Sequence, residues 1–202
     1  MHLHHLPLIA GALALTSLAA PALAGGFGLM GAAGVHQERA DYYDEDENHF
    51  YEDQMRPNYG GGVYIMLGDR DDRVQGTMKI YMQADEPAST DLVNGRDPDF
   101  VGDTITIALR PEARNIGIAT AGIQWSLVGD PAGLSLNLLT NVGAAAITPD
   151  LSEFAYAEIG PGVSFGLDSS IQVFGEALYQ PRWRKGLTHG AGGTVGVRYL
   201  FD

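Results

Sequence analysis

Cysteine is absent from this chain of 202 residues, which excludes disulfides and thiolate chemistry. Cations are scarce. Twelve Lys+Arg stand against 25 Asp+Glu, and a nucleic-acid partner needs the opposite balance, so none is expected. After Gly25 no run of ~18 apolar residues occurs, so no membrane-crossing helix is expected there. Histidine is thin beyond the first positions, where only His36, His49 and His189 remain. One residue type is plentiful. There are 27 glycines, and most are set into alternating sequence rather than into linkers.

The N-terminus reads as a secretory signal. Leu6 to Leu18 is apolar, and Ala22-Leu23-Ala24 forms a small-residue cleavage site before Gly25. Residues 1–24 are therefore expected to be removed, taking His2, His4 and His5 with them. The n-region holds no Lys or Arg. Residues 25–202 are expected to form one exported domain.

The strongest pattern runs from Phe154 to Phe201. Ala155, Ala157, Ile159, Pro161, Val163, Phe165 and Leu167 alternate with Tyr156, Glu158, Gly160, Gly162, Ser164 and Gly166. After Asp168-Ser169-Ser170, Ile171, Val173, Gly175, Ala177 and Tyr179 alternate with Gln172, Phe174, Glu176, Leu178 and Gln180. Val195, Val197, Tyr199 and Phe201 then alternate with Thr194, Gly196, Arg198 and Leu200. Period two means strands with one apolar and one polar face. The polar face is glycine-rich and holds a few charges of both signs, which suits the inside of a narrow barrel whose apolar face meets lipid.

Further candidate strands cover residues 26–36, 61–67, 77–83, 103–110, 115–128 and 134–146. Two long polar segments, an acidic one at 37–60 and a second at 84–102, read as loops. Gly129-Asp130-Pro131-Ala132-Gly133 and Asp168-Ser169-Ser170 read as tight turns. The count is nine, whereas bacterial single-chain barrels use even numbers. Assigning long loops to one side and tight turns to the other works locally but conflicts across 103–127. The expected fold is all-β: an antiparallel transmembrane β-barrel of eight strands, with ten as the alternative.

In an eight-stranded barrel the interior is just wide enough for side chains to fill. The inward charges are expected to be Lys79, Arg110, Glu158, Glu176 and Arg198, which can neutralise one another as an ion-pair network. Arg182-Trp183-Arg184-Lys185 lies near Tyr179, with Trp183 suited to an interfacial aromatic belt and the cations to phosphate groups of lipopolysaccharide. Asp41, Asp44, Asp46 and Asp53 offer carboxylate oxygens to calcium, but they lack the spacing of an EF-hand loop, so no metal or other cofactor is expected.

The last segment, Gly193-Thr194-Val195-Gly196-Val197-Arg198-Tyr199-Leu200-Phe201, resembles the terminal strand of Gram-negative outer-membrane β-barrels. In that family alternate apolar or aromatic residues run to a terminal Phe, here Val195, Val197, Tyr199 and Phe201, although Asp202 follows. Together with the leader and the 154–180 hairpin, the chain resembles small barrels of the outer membrane protein A-like or opacity-like kind. The resemblance implies an outer-membrane location, contact with lipid and lipopolysaccharide, and recognition of the last strand by the barrel-insertion machinery. The barrel size leads to the expectation of a side-chain-filled lumen and so of a structural or envelope-assembly role, with the aromatic, polar segments 37–60 and 84–102 expected to contact an envelope protein. Barrel families with lipid A deacylase, acyltransferase or omptin protease activity need a His beside a carboxylate and a nucleophile. No matching Ser or Asp motif is found, so no catalysis is expected. A narrow porin and a soluble exported β-sandwich binding protein are the rival readings.

Overall fold

The computed structural model describes residues 25–43, 49–85, 114–148, 152–183 and 186–201. Ten strands follow in order: β1 (Gly25–Tyr43), β2 (His49–Leu67), β3 (Val74–Asp85), β4 (Arg114–Gly129), β5 (Ser135–Thr148), β6 (Ser152–Gly166), β7 (Ile171–Tyr179), β8 (Arg182–Trp183), β9 (Leu187–Thr188) and β10 (Gly190–Leu200). Each of β1 to β6 pairs antiparallel with the next strand, β7 pairs with β10, and two ladders show that the ring closes. β5 pairs with β6, and β1 pairs with β10 from Gly26↔Leu200 to His36↔Gly190. The sheet is thus a closed eight-stranded barrel with no open edge along its body. β8 and β9 form a small ribbon within the β7–β10 connection, held to β6 at Tyr156↔Arg182.

Polarity is inverted relative to a water-soluble sheet. Leu29, Val142 and Val195 point outward with 66%, 68% and 67% exposure, while Lys79, Gln172 and Glu158 lie inside with 1% or less. The nine residues of β7 and eleven of β10 match the ~9–11 that cross a bilayer as a tilted strand. Exposed aromatics sit toward both ends of the outer wall: Phe27, Phe165, Tyr199 and Phe201 at one, and Tyr59, Tyr179 and Trp183 at the other. This is the girdle arrangement of outer-membrane barrels.

The strand count resolves the parity conflict. The barrel closes at eight without residues 103–110, which lie outside the described residues. The β2–β3, β4–β5 and β6–β7 connections then share one end of the barrel with Gly25 and Leu200, and all are short. Gly129 makes one of them possible. Its φ is +93°, and a side chain there would strike the carbonyl oxygen of Leu134. Gly196 serves packing instead. It faces Phe174 across the ladder, and a Cβ would come within 2.6 Å of the ring.

The expected loop at 37–60 is corrected. β1 continues to Tyr43 and β2 begins at His49, the two pairing from Tyr43↔His49 downward. The turn composition of Arg56-Pro57-Asn58-Tyr59-Gly60 misled because Pro57 lies one residue past the last β2–β3 pair, Asn58↔Asp85. Among the described residues β2 is an edge there, where a missing N–H costs no ladder bond. Ala84 and Asp85 likewise belong to β3 rather than to a loop at 84–102, the rest of which lies outside the described residues. So do residues 1–24.

Candidate functional site

Inward side chains stack in three tiers between the barrel ends. The middle tier is ionic. Lys79 on β3 reaches Glu158 on β6 at 3.0 Å and Glu176 on β7 at 2.5 Å. Glu158 uses both oxygens, since Oε1 accepts from the Tyr81 hydroxyl at 2.6 Å and Oε2 also accepts from Asn141 Nδ2 at 3.1 Å. Tyr81 in turn contacts the Tyr156 hydroxyl at 3.1 Å. Glu176 Oε2 accepts from Thr194 Oγ1 at 2.5 Å, whereas its Oε1 has no partner among the described residues. Asn141 is fixed from behind by Thr77 Oγ1, which donates to its Oδ1 at 2.7 Å.

The tier nearest the tight turns is built from amides around Arg198. Its Nε donates to Gln172 Oε1 at 2.7 Å and its Nη1 to Gln124 Oε1 at 3.3 Å. The guanidinium lies over the rings of Tyr64 and Phe174, 5.3 and 5.2 Å from their centroids. Gln172 donates to the carbonyl of Pro131, and Gln75 to that of Asp69, so the amides tie the wall to the turns. Arg70 bridges two turns through the Ser169 carbonyl at 2.7 Å. Ser126, Ser135, Asn137 and Ser164 form a second hydroxyl–amide cluster beside them.

At the far end Arg56 meets Asp85 at 3.3 Å, and His36 lies 3.6 Å from the same carboxylate. Asn58 contacts His36 Nδ1 at 3.2 Å. Arg182 enters the lumen here, its guanidinium over Phe154 and Tyr156 at 5.7 and 5.5 Å.

Of the residues singled out by sequence, Lys79, Glu158 and Glu176 meet directly. Arg198 lies in the same lumen but takes amide and aromatic partners instead of a carboxylate. Arg110 lies outside the described residues. Val195, Val197, Tyr199 and Phe201 face outward, with the last two rings packed edge to face at 5.5 Å. Arg182 does not lie on the outer surface as expected, since it is buried at 4% exposure. The register explains the correction. Arg182 pairs with inward Tyr156 and Trp183 with outward Ala155, so alternation sends the cation in and the indole out. Arg184 and Lys185 lie outside the described residues. Asp41 and Asp53 stand in the β1–β2 ladder opposite Tyr51 and Arg39, and Asp44 and Asp46 lie outside the described residues. No group of three or more potential metal ligands occurs among the described residues. His189 sits at the rim with Nδ1 2.5 Å from the Tyr179 hydroxyl.

The far-end cluster was missed. Its signal was present, since Arg56, Asn58, Gly60 and Gly62 continue the inward period of Tyr64, but Pro57 and three consecutive glycines masked it.

No protein-family model matches the chain, and no curated protein matches its sequence. Among solved structures it is similar to Ail, the attachment invasion locus protein of Yersinia pestis. In complex with the heparin analogue sucrose octasulfate, that protein shows 13% identity and a TM-score of 0.37, over 89% of this chain and 100% of the other. A second Ail structure shows 15% identity and a TM-score of 0.30 over the same shares. At such values the likeness carries no argument about activity. The barrel assignment rests on the closed strand ladder and its inverted polarity, which are those of a small outer-membrane barrel.

Proposed function

We propose that the chain is an integral outer-membrane barrel with a filled, non-conducting lumen, acting as a structural or envelope-assembly component without catalysis. One observation carries this reading: charges are buried inside and apolar side chains exposed outside. Burying Lys79 and its two carboxylates in a water-soluble sheet while leaving Leu29, Val142 and Val195 in water would cost on both faces. In lipid the outer face is at home and the inner charges are paired. The filling extends the length of the lumen, since Arg198 and Gln172 toward one end and Arg56 and Asp85 toward the other are at most 1% exposed. In this reading residues 1–24 direct export, the outward row Val195, Val197, Tyr199 and Phe201 is read by the insertion machinery, and Trp183 lies at the headgroup level.

The test compares unboiled and boiled samples of the membrane fraction on a denaturing gel, followed by planar-bilayer conductance. A heat-dependent mobility shift in the outer-membrane fraction, with no conductance steps, is expected. A soluble periplasmic chain without the shift overturns the membrane reading, and steady open steps would replace the plug by a narrow porin.

A further inference from the structure

Proline interrupts the barrel wall between β6 and β7. Pro57 lies past the last β2–β3 pair, but Pro161 stands in mid-strand with a neighbour on each side. It pairs with Leu138 on β5. Toward β7 the ladder holds the pair Ile159↔Tyr179 and resumes at Gly162↔Glu176, skipping Gly160 and Pro161. Proline has no N–H to give to a ladder, which is why sheets confine it to edges and bulges.

The register says which group loses its donor. In an antiparallel ladder each residue turns both its N–H and its C=O toward one neighbour, and the next residue turns them toward the other. Ala157 N donates to the Pro181 carbonyl at 3.1 Å and Leu167 N to that of Ile171 at 2.8 Å, so the odd-numbered residues of β6 face β7. Pro161 therefore faces Ala177 and has no N–H for its carbonyl. Pro181 likewise has none for the carbonyl of Ala157. The seam thus holds carbonyls without a ladder donor on either side of the Ile159↔Tyr179 rung.

The inner side of the break carries little cover. Its inward residues are Gly160 and Gly162, and a Cβ on Gly160 would strike the Ala177 oxygen. Leu139 pairs with Gly160 and offers no donor. Across the next rung the Glu176 Cγ lies 3.4 Å from where a Gly162 Cβ would stand, so no side chain separates that carboxylate's stem from the seam. Glu176 Oε1 has no partner among the described residues. Consecutive residues, Glu176 and Ala177, each carry an acceptor short of a donor. In hydrocarbon such groups are costly until they are satisfied. Water brings two donors in one small molecule and is the common partner of buried polar groups.

We infer that the β6–β7 seam at Pro161 is a hydrated break in the barrel wall, through which water reaches Glu176. The Ala157 carbonyl is the step between the break and the headgroup level, since Trp183 and Tyr179 of the aromatic girdle pair with Ala155 and Ile159 beside it. The inference rests on the membrane reading for the cost of an unpaired carbonyl in lipid.

The folded full chain in lipid nanodiscs is followed by NMR. Amide exchange and water cross-peaks are compared between Ala177 and Ala144, which lies in the β4–β5 ladder where Ala119↔Ala144 and its neighbouring rungs are unbroken. The Ala177 amide is expected to exchange about tenfold faster, the worth of one lost rung bond. Water cross-peaks are expected at Ala177 and at the Glu176 γ-methylene but not at Ala144. Pro161→Val restores the N–H. It is expected to slow Ala177 to the rate of Ala144, to remove the Glu176 cross-peak and to leave Ala144 unchanged. Equal exchange at the two amides of the native chain overturns the inference, and this arm needs no variant to fold. Equal slowing of both amides in Pro161→Val overturns it too, because the proline would then act on the whole barrel. A Glu176 cross-peak that survives Pro161→Val brings the water from the lumen ends and overturns the seam as its route. These three outcomes leave the membrane reading standing. Water cross-peaks at Ala144 as well would overturn that reading and the inference with it.

Discussion

Lys79 and Arg198 are the two cations of the barrel's middle and turn-side tiers, both fully enclosed, yet they are held by opposite means. Lys79 sits between two carboxylates at 3.0 and 2.5 Å. Arg198 has two amide oxygens and two aromatic faces. The compact ammonium of lysine gains most from a point charge of opposite sign, whereas the planar guanidinium stacks and forks. Charge is balanced over the two tiers together: Lys79 and Arg198 against Glu158 and Glu176. Hydrogen bonding is local to each tier, with Glu176 Oε1 in one and Arg198 Nη2 in the other lacking a partner among the described residues. Removing one cation therefore leaves a different defect in each place.

The largest effect is expected at Lys79. Lys79→Met leaves two buried carboxylates facing each other, a loss of about 3–5 kcal/mol. Urea unfolding from lipid vesicles should show it, and added Glu176→Gln should recover part of it. No recovery would mean that the cluster is held by packing rather than by charge.

A lysine on the other wall tests whether partners or place decide. Val142 is adjacent to Asn141 in sequence but faces outward at 68% exposure. Val142→Lys meets lipid with no carboxylate, and a loss of about 2–4 kcal/mol is expected by the same titration. A neutral result would contradict the lipid-facing assignment of this wall.

Arg198→Met should cost less, about 1.5–3 kcal/mol, because it orphans Gln172 Oε1, while Gln124 Oε1 keeps the Tyr64 hydroxyl and no carboxylate within bonding distance is exposed. A loss equal to that of Lys79→Met would show that long-range charge balance outweighs local bonding.

The smallest effect belongs to an anion at the rim. Asp168 is exposed in the β6–β7 turn, and its Oδ1 accepts from the backbone N–H of Ser170 and of Ile171, both at 2.7 Å. These two bonds hold its carboxyl below the ordinary aspartate range. The ionised form is favoured in the folded state. Its contribution is therefore complete above the unfolded pKa and is lost as the pH falls through the lower folded value. Asp168→Asn should flatten that part of the acid dependence of unfolding while changing neutral-pH stability little. An unchanged acid limb would detach the turn from the pH response.

The same contrast between local and distant causes separates what could be read from residues alone. Period two announced strands at 154–167, 171–180 and 194–201, because alternation is written in each strand without help from its neighbour. The inward face of Lys79, Glu158, Glu176 and Arg198 was legible for that reason. The extent of β1 and β2 was not. A strand that stands on one neighbour beyond the barrel tolerates Pro57 and many carboxylates, and the composition then resembles a loop. Arg182 was misplaced because two residues are too few to carry a period, and only pairing with Tyr156 fixed its direction.

The sequence by itself determined the chemistry of the two faces, since side-chain alternation follows from backbone geometry. Which cation meets which carboxylate was left to closure of the ring. Lys79, Glu158 and Glu176 lie 79 and 97 positions apart in the chain, and only strand register across the barrel brings them within bonding distance.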